Sequence, residues 1–299
     1  MKSRVIFTVY IDPKEIYDVD EVFSTVEEQK IDFKSKQLVQ WFKALTYKQE
    51  EYAKKCGADY KIFEIDDAYK TFLDNLDDIE VFETQYQCIQ HYKHYLMKEL
   101  SNYYDEVLYI DLDVFINTDE NIFEKFDLSN GIGIYGYLDD RPHDIENIKE
   151  GWLSYVPVTT SVSVKTAAMI SLCTNANCTF PNYVFNTAIM LVNKELCDKI
   201  DYINQLQHIK ESIDDLKAND HWWADYIRNY FSINNETALS YLVHKNKIKW
   251  QSIGEEWHYP FNQRNQNEPI PEDVKFIHVI NKDFIKVFNA AKWWEAYYL

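Results

Sequence analysis

Glycine is scarce in this 299-residue chain, with six in all, and no glycine-rich phosphate loop or dinucleotide fingerprint can be assembled from them. Arginine is scarcer still: Arg4, Arg141, Arg228 and Arg264 are scattered, and no dense lysine run makes up for them. Acids outnumber bases 49 to 31, a formal charge of −18. Such a surface repels phosphate backbones and anionic lipid, so neither nucleic acid nor a membrane surface is an expected partner. An anionic ligand would need a bound metal or a few aimed bases. No stretch approaches the ~20 apolar residues of a membrane span. The opening MKSRVIFTVYIDPKE has too short an apolar run for a secretion signal. The cysteines (Cys56, Cys88, Cys173, Cys178, Cys197) are odd in number and lack CxxC spacing, which reads as reduced thiols in a cytoplasmic protein. The sequons Asn177-Cys178-Thr179 and Asn235-Glu236-Thr237 are then chance matches.

What the chain does have is apolar content, 46% of its residues, enough for a sizeable core. Residues 4–11 form a strand candidate cut by Asp12-Pro13. Residues 36–56 show helical spacing (Leu38, Trp41, Phe42, Leu45, Tyr52) and stop at Gly57. A short strand over 60–65 follows, and strand–helix–strand is how a parallel sheet begins. A second helix pattern, 86–100, leads into 107–110, apolar on consecutive positions as a central strand is. Further strands are expected over 132–138, 184–193 and 275–280, with helical material over 196–227 and 284–298. Residues 162–172 fit strand or helix equally. The expected architecture is one α/β domain over 1–299, with 1–118 as its first half and 119–299 elaborating it.

The segment YDEVLYIDLDVFINTDENIF (104–123) sets two acids, Asp111 and Asp113, inside an apolar run. A buried carboxylate without a partner is costly, so it neutralises or finds a cation. In an extended chain residues i and i+2 share a face, so the two acids are expected to converge on one cation, especially where the strand ends and the chain turns. Oxygen ligands favour Mg²⁺, Mn²⁺ or Ca²⁺, and open α/β sheets bind ligands at the carboxyl ends of their strands. An Asp capping a turn beside a solvated one is the plain alternative. If the acids repel each other, asparagine at either position raises the melting temperature of the metal-free protein.

The order of these segments resembles a nucleotide-sugar glycosyltransferase of the GT-A fold, in the manner of glycosyltransferase family 8. The residues that carry the resemblance are YAKKCGADY (52–60), YDEVLYIDLDVFI (104–116) with NIFEKF (121–126), VFNTAIMLVN (184–193) and the late FIH (276–278). It implies a Rossmann-like, mixed, mostly parallel sheet flanked by helices. It also implies that Asp111 and Asp113 hold Mn²⁺ or Mg²⁺ on the donor diphosphate, with His278 as third ligand. Thr8, Val9 and Tyr10 match the positions that hold the base, expected to be uracil of a UDP-sugar. Lys93 matches a basic position that touches the donor, and Leu112, between the acids, falls in the same donor set. The glycine and Lys-Pro-Trp that follow the family's histidine are missing; the chain reads HVINKDF, leaving Lys282 as the ammonium within reach of the diphosphate. Asn186 matches a sugar contact, and Asp220 in NDHWWADY an acid near the reacting carbon.

Each residue also has a plain role: Tyr10 and His278 in the core, Lys93 exposed on a helix, Asn186 bonded to backbone, Asp220 as a helix cap. Asp139-Asp140 is either a sugar contact or a solvated turn. Trp222, Trp223, Trp250, Trp257 and Tyr259 are mostly core, with one acceptor contact expected among them. The expected activity is metal-dependent transfer of a hexose, with retention, to a glycan or protein hydroxyl. Two alternatives stay open. A haloacid-dehalogenase-type phosphatase would use Asp111 as nucleophile and Asp113 as acid, although Phe115 stands where that family has Thr or Val. A non-catalytic sugar- or nucleotide-binding protein of the same fold is the other.

Overall fold

A computed structural model of the chain describes residues 2–12, 25–76, 82, 85–136, 161–180, 183–219, 223, 228–229, 231–261, 267–280 and 282–290. In chain order the elements are β1 (Arg4–Val9), α1 (Thr25–Lys55), β2 (Asp59–Phe63), α2 (Asp67–Asp74), α3 (Gln85–Leu100), β3 (Glu106–Ile110) and β4 (Val114–Ile116). There follow α4 (Ile122–Lys125), β5 (Ile132–Gly136), α5 (Ser161–Asn175), β6 (Phe185–Val192), α6 (Lys194–Ile200), α7 (Tyr202–Asn219) and α8 (Asn235–Lys245). The chain continues through β7 (Trp250–Ser252), α9 (Gly254–Trp257), β8 (Tyr259–Phe261), β9 (Phe276–Val279) and α10 (Phe284–Ala290).

Six strands form one sheet in the order β2-β1-β3-β6-β5-β7, and three form a second, β4-β9-β8. In the large sheet β1 runs parallel to β2 and β3, and β5 parallel to β7; β6 lies antiparallel to both β3 and β5. The sheet is therefore mixed and mostly parallel, with helices packed on it: α1 on β1 and β2, α3 on β1 and β3, α8 on β6. All five residues of β3 are buried, as its continuous apolar run requires of a central strand. Its one acid, Glu106, survives burial because Lys2 Nζ at 2.7 Å and Arg4 Nε at 2.9 Å neutralise it.

Helix ends are set locally. After α1, Gly57 takes φ +64°, the Ala58 amide donates to Ala53 O and the Gly57 amide to Lys54 O, a Schellman closure. The segment that fitted strand or helix equally is the helix α5, closed in the same way by Asn177 at φ +51°. Within the expected helical stretch over 196–227, the described residues to Asn219 form α6 and α7, divided because Asp201 adopts φ +49° and stops α6.

Two apolar clusters result. One fills the large sheet and its helices; the other joins Leu38 and Leu45 of α1 to Leu112, Phe115, Phe261, Ile277 and Phe284. Their junction positions the site: β3 belongs to the large sheet, β4 to the small one, and the three residues between them are Asp111, Leu112 and Asp113. No described helix is long and apolar enough to cross a membrane.

Candidate active site

The two acids lie close together where the strand ends and the chain turns. β3 ends at Ile110, and residues 111–113 turn, with the Val114 amide donating to Asp111 O at 3.0 Å. Three neighbours pin this turn. The Asp111 amide donates to Ala188 O of β6 at 2.7 Å, and the Val279 amide of β9 donates to Asp113 O at 2.9 Å. From α1, the buried Gln49 amide donates to Asp111 O at 3.2 Å, its own oxygen held by Tyr60 Oη at 2.9 Å. The backbone is thus fixed from both sheets and one helix, leaving the carboxylates to project from a rigid corner.

His278 arrives through sheet register. β4 and β9 are antiparallel with Val114 opposite His278, which places the ring beside the preceding Asp113. One ligand atom each from Asp111, Asp113 and His278 lies within 4.8 Å of the others. His278 Nε2 stands 3.3 Å from Asp113 Oδ2. Lys282, left-handed at φ +60°, pairs through Nζ with the same oxygen. Burial by itself would raise the Asp113 carboxyl, but Lys282 and His278 outweigh it and hold it well below the usual carboxylate range. Across the corner Lys93 Nζ lies 3.4 Å from Asp111 Oδ1, donates to Thr187 O at 2.9 Å and sits over the Tyr109 ring. The Tyr109 hydroxyl donates to Asp111 Oδ1; burial first, then the Asp111 charge, pushes that phenol well above its ordinary value, so it stays a donor.

This donor set fits a hard divalent cation. Two carboxylates and one imidazole nitrogen lie within reach of a common point, a donor set that could hold a divalent cation. Asp111, Asp113 and His278 would hold it. The two ammoniums already balance the two carboxylates, so a divalent ion would leave the cluster positive, as a diphosphate requires.

The other expected residues fall into place unevenly. Lys93 is buried against Asp111 and is not an exposed helix lysine. Thr8 is fully buried and its Oγ1 has no hydrogen-bond partner, whereas Val9 and Tyr10 are half-buried and the Tyr10 ring packs 4.4 Å from Phe42. Leu112 points into the second apolar cluster. Asn186 opens β6 next to the corner and its Oδ1 accepts from the Ala188 amide at 2.9 Å. Asp220, Asp139, Asp140 and Trp222 lie outside the described residues. Trp223 and Trp257 are core, and Trp250 and Tyr259 half-buried. The five cysteines are free, and Asn235 is buried on Thr187 Oγ1, which closes that sequon in the folded chain.

Sequence reasoning missed three contributors: Gln49, Tyr109 and His258. Tyr109 had a readable signal, being two residues before Asp111 on one strand face. Gln49 and His258 had none, because their contacts depend on helix–turn and strand–strand packing. His258, just before β8, is fully buried with Nε2 3.1 Å from His278 Nδ1, and burial, then the neighbouring His278, keeps it neutral far below its usual range.

No protein-family model and no curated protein matches the chain. Solved structures that match it include a glycosyltransferase involved in the glycosylation of the major capsid of PBCV-1, 12% identical, covering 95% of this chain and 99% of that one, TM-score 0.43. Mouse xyloside xylosyltransferase 1 is 11% identical over 75% of this chain and 76% of its own, TM-score 0.42. The galactosyltransferase LgtC, solved with donor and acceptor sugar analogs, is 10% identical over 92% and 87%, TM-score 0.39.

Proposed function

We propose that the chain is a metal-dependent glycosyltransferase of the GT-A type. It moves a hexose from a UDP-sugar to a hydroxyl of a glycan or protein, with retention of anomeric configuration. One observation carries the reading: Asp111, Asp113 and His278 meet at the carboxyl end of a central strand, between two ammonium groups. When bound there, a divalent cation supplies Lewis-acid stabilisation of the charge that builds on a departing nucleoside diphosphate.

The chain's own residues do the rest. Lys93 and Lys282 bring two fixed positive charges to the same corner, in a protein whose surface is otherwise anionic, and attract phosphate oxygens without a basic patch. Gln49, Tyr109 and the backbone bonds of β6 and β9 hold the carboxylates in place, so little reorganisation is needed when charge develops. Asn186 stands beside the corner to contact the transferred sugar, Asp220 acts near its reacting carbon, and Thr8–Tyr10 receive the base. In this reading residues 1–118 carry the nucleotide side and 119–299 the acceptor side of one domain.

A thermal-shift panel of nucleotide sugars with and without Mn²⁺ tests this. UDP-glucose or UDP-galactose should raise the melting temperature only when Mn²⁺ is present, since a ligand that binds the native state stabilises it by RT ln(1 + [L]/Kd). Preference for GDP-mannose would remove the donor assignment. Release of phosphate from generic esters would favour the phosphatase, and metal-dependent UDP binding with no turnover a binding protein.

A further inference from the structure

We propose that His258 is a positioning residue that decides which nitrogen of His278 carries the proton, and so whether Nε2 is open to a divalent cation. This rests on the metal reading above and extends it to a residue outside the ligand set.

β8 and β9 run parallel with Pro260 opposite His278, which brings the residue before β8 onto the His278 ring. His258 Nε2 lies 3.1 Å from His278 Nδ1, both residues being buried. When both imidazoles are neutral, their hydrogen bond needs one N–H and one lone pair, so the two tautomers are locked together. When His258 donates, the His278 proton sits on Nε2 and points at Asp113 Oδ2, 3.3 Å away; the ring is then closed to a cation. When His258 accepts, His278 donates from Nδ1 and turns the Nε2 lone pair toward the two carboxylates. Passage from one state to the other moves one proton across each ring; each imidazole keeps one throughout, and none is released.

Without metal, the closed state gains a charge-assisted bond to Asp113. The open state places a proton on His258 Nδ1, a buried atom with no hydrogen-bond partner. Both effects favour the closed state until a cation is present. Metal-bound histidines elsewhere give that proton to a carboxylate, a backbone carbonyl or water. Here the partner can also donate, so the same contact that opens His278 to a cation satisfies it when none is bound. Among the described residues, no other group hydrogen-bonds to His278 Nδ1.

The test compares His258→Leu and His258→Gln by Mn²⁺ titration followed by electron paramagnetic resonance. Leucine removes the acceptor and should weaken Mn²⁺ by about 10–100-fold, the usual effect of losing such a partner. Glutamine, whose side-chain oxygen can take the Nδ1 proton, should recover most of that loss. Wild-type affinity in His258→Leu, or a loss in His258→Gln as large as in leucine, overturns the proposal. If the leucine variant does not fold, long-range ¹H–¹⁵N spectra of the wild type give the answer. Both rings should carry Nε2 protons without metal and Nδ1 protons with Zn²⁺, used as a diamagnetic stand-in. An unchanged His258 tautomer on Zn²⁺ saturation overturns the proposal. A wild-type protein that takes up no Mn²⁺ removes the metal reading and this proposal together, whereas normal uptake by His258→Leu removes the proposal alone.

Discussion

Replacing Asp113 by asparagine should destabilise the metal-free protein, the reverse of what two neighbouring acids suggest by themselves. Repulsion between Asp111 and Asp113 would make the substitution a relief. In the structure, however, each acid already faces its own ammonium, and Asp113 also faces His278. The Asp113 side chain is 5% exposed and that of Lys282 21%. Removing one partner of a fully buried pair costs about 3–5 kcal/mol, because a buried charge is left uncompensated. Lys282 can turn its ammonium to water, so about 2–3 kcal/mol is the reasonable expectation here. Because the folded carboxyl is held below its ordinary range, its contribution is complete above the unfolded value near ~3.9 and is lost as the pH falls through the lowered folded value. At pH 7 the substitution therefore removes all of it.

Urea unfolding at pH 7 in the presence of a chelator measures this directly. Asp113→Asn should unfold at lower urea with an unchanged m-value. In a Lys282→Met background the same substitution should cost less than ~1 kcal/mol, the difference being the coupling between the two side chains. An Asp113→Asn variant as stable as the wild type, or more so, would refute the reasoning and restore the repulsion account.

Lys93→Met keeps the side-chain length but removes the charge beside Asp111, and should lower kcat/KM about 10²-fold, measured with UDP-sugar at saturating Mn²⁺; normal turnover would show Lys93 to be structural. Burial lowers the fully enclosed His91 from 6.5 to about 3, so above pH 6.5 both folded and unfolded states are neutral at this ring. Between 6.5 and about 3 only the unfolded chain binds the proton, and stability should fall by about 1.4 kcal/mol per pH unit from this group. A His91→Gln variant should show a shallower pH dependence of urea midpoints from 7 to 5; an identical slope would exclude His91 as the source. Asp220→Asn should lower turnover by ~10²-fold with UDP affinity nearly intact, the mark of an interaction made in the transition state. A stability loss of ~1 kcal/mol with normal turnover would make it a helix cap.

How far these features could be read beforehand depended on whether burial left a pattern. β3 was legible because an interior strand is apolar on every position and short. Helix α8 was not: all residues from Asn235 to Val243 are buried, so polar Asn235, Glu236, Thr237 and Ser240 face inward and no amphipathic stripe remains. The same enclosure made α5 ambiguous. For the site, residue types were legible and geometry was not. Asp111 and Asp113 pointed to a cation at the end of a strand where the chain turns; that the turn joins two different sheets left no trace in the sequence. Lys282 was within reach by spacing alone; its placement on Asp113 comes from a left-handed backbone that nothing at a lysine position signals.

Composition also misdirects about charge unless it is localised. A formal charge of −18 means that a diphosphate needs a bound metal or a few aimed bases, and the corner that matters holds two such bases, Lys93 and Lys282, which balance its carboxylates before any ion arrives. Coulomb attraction falls with distance and is screened over about 10 Å at ordinary salt, so surface acids far from the corner weigh little there. An acidic exterior is therefore compatible with a balanced corner that a divalent ion would make positive. Their combination favours a ligand that brings one compact anionic group on a largely neutral body, as a nucleotide sugar does, and disfavours a polyanion that must touch the surface at many points.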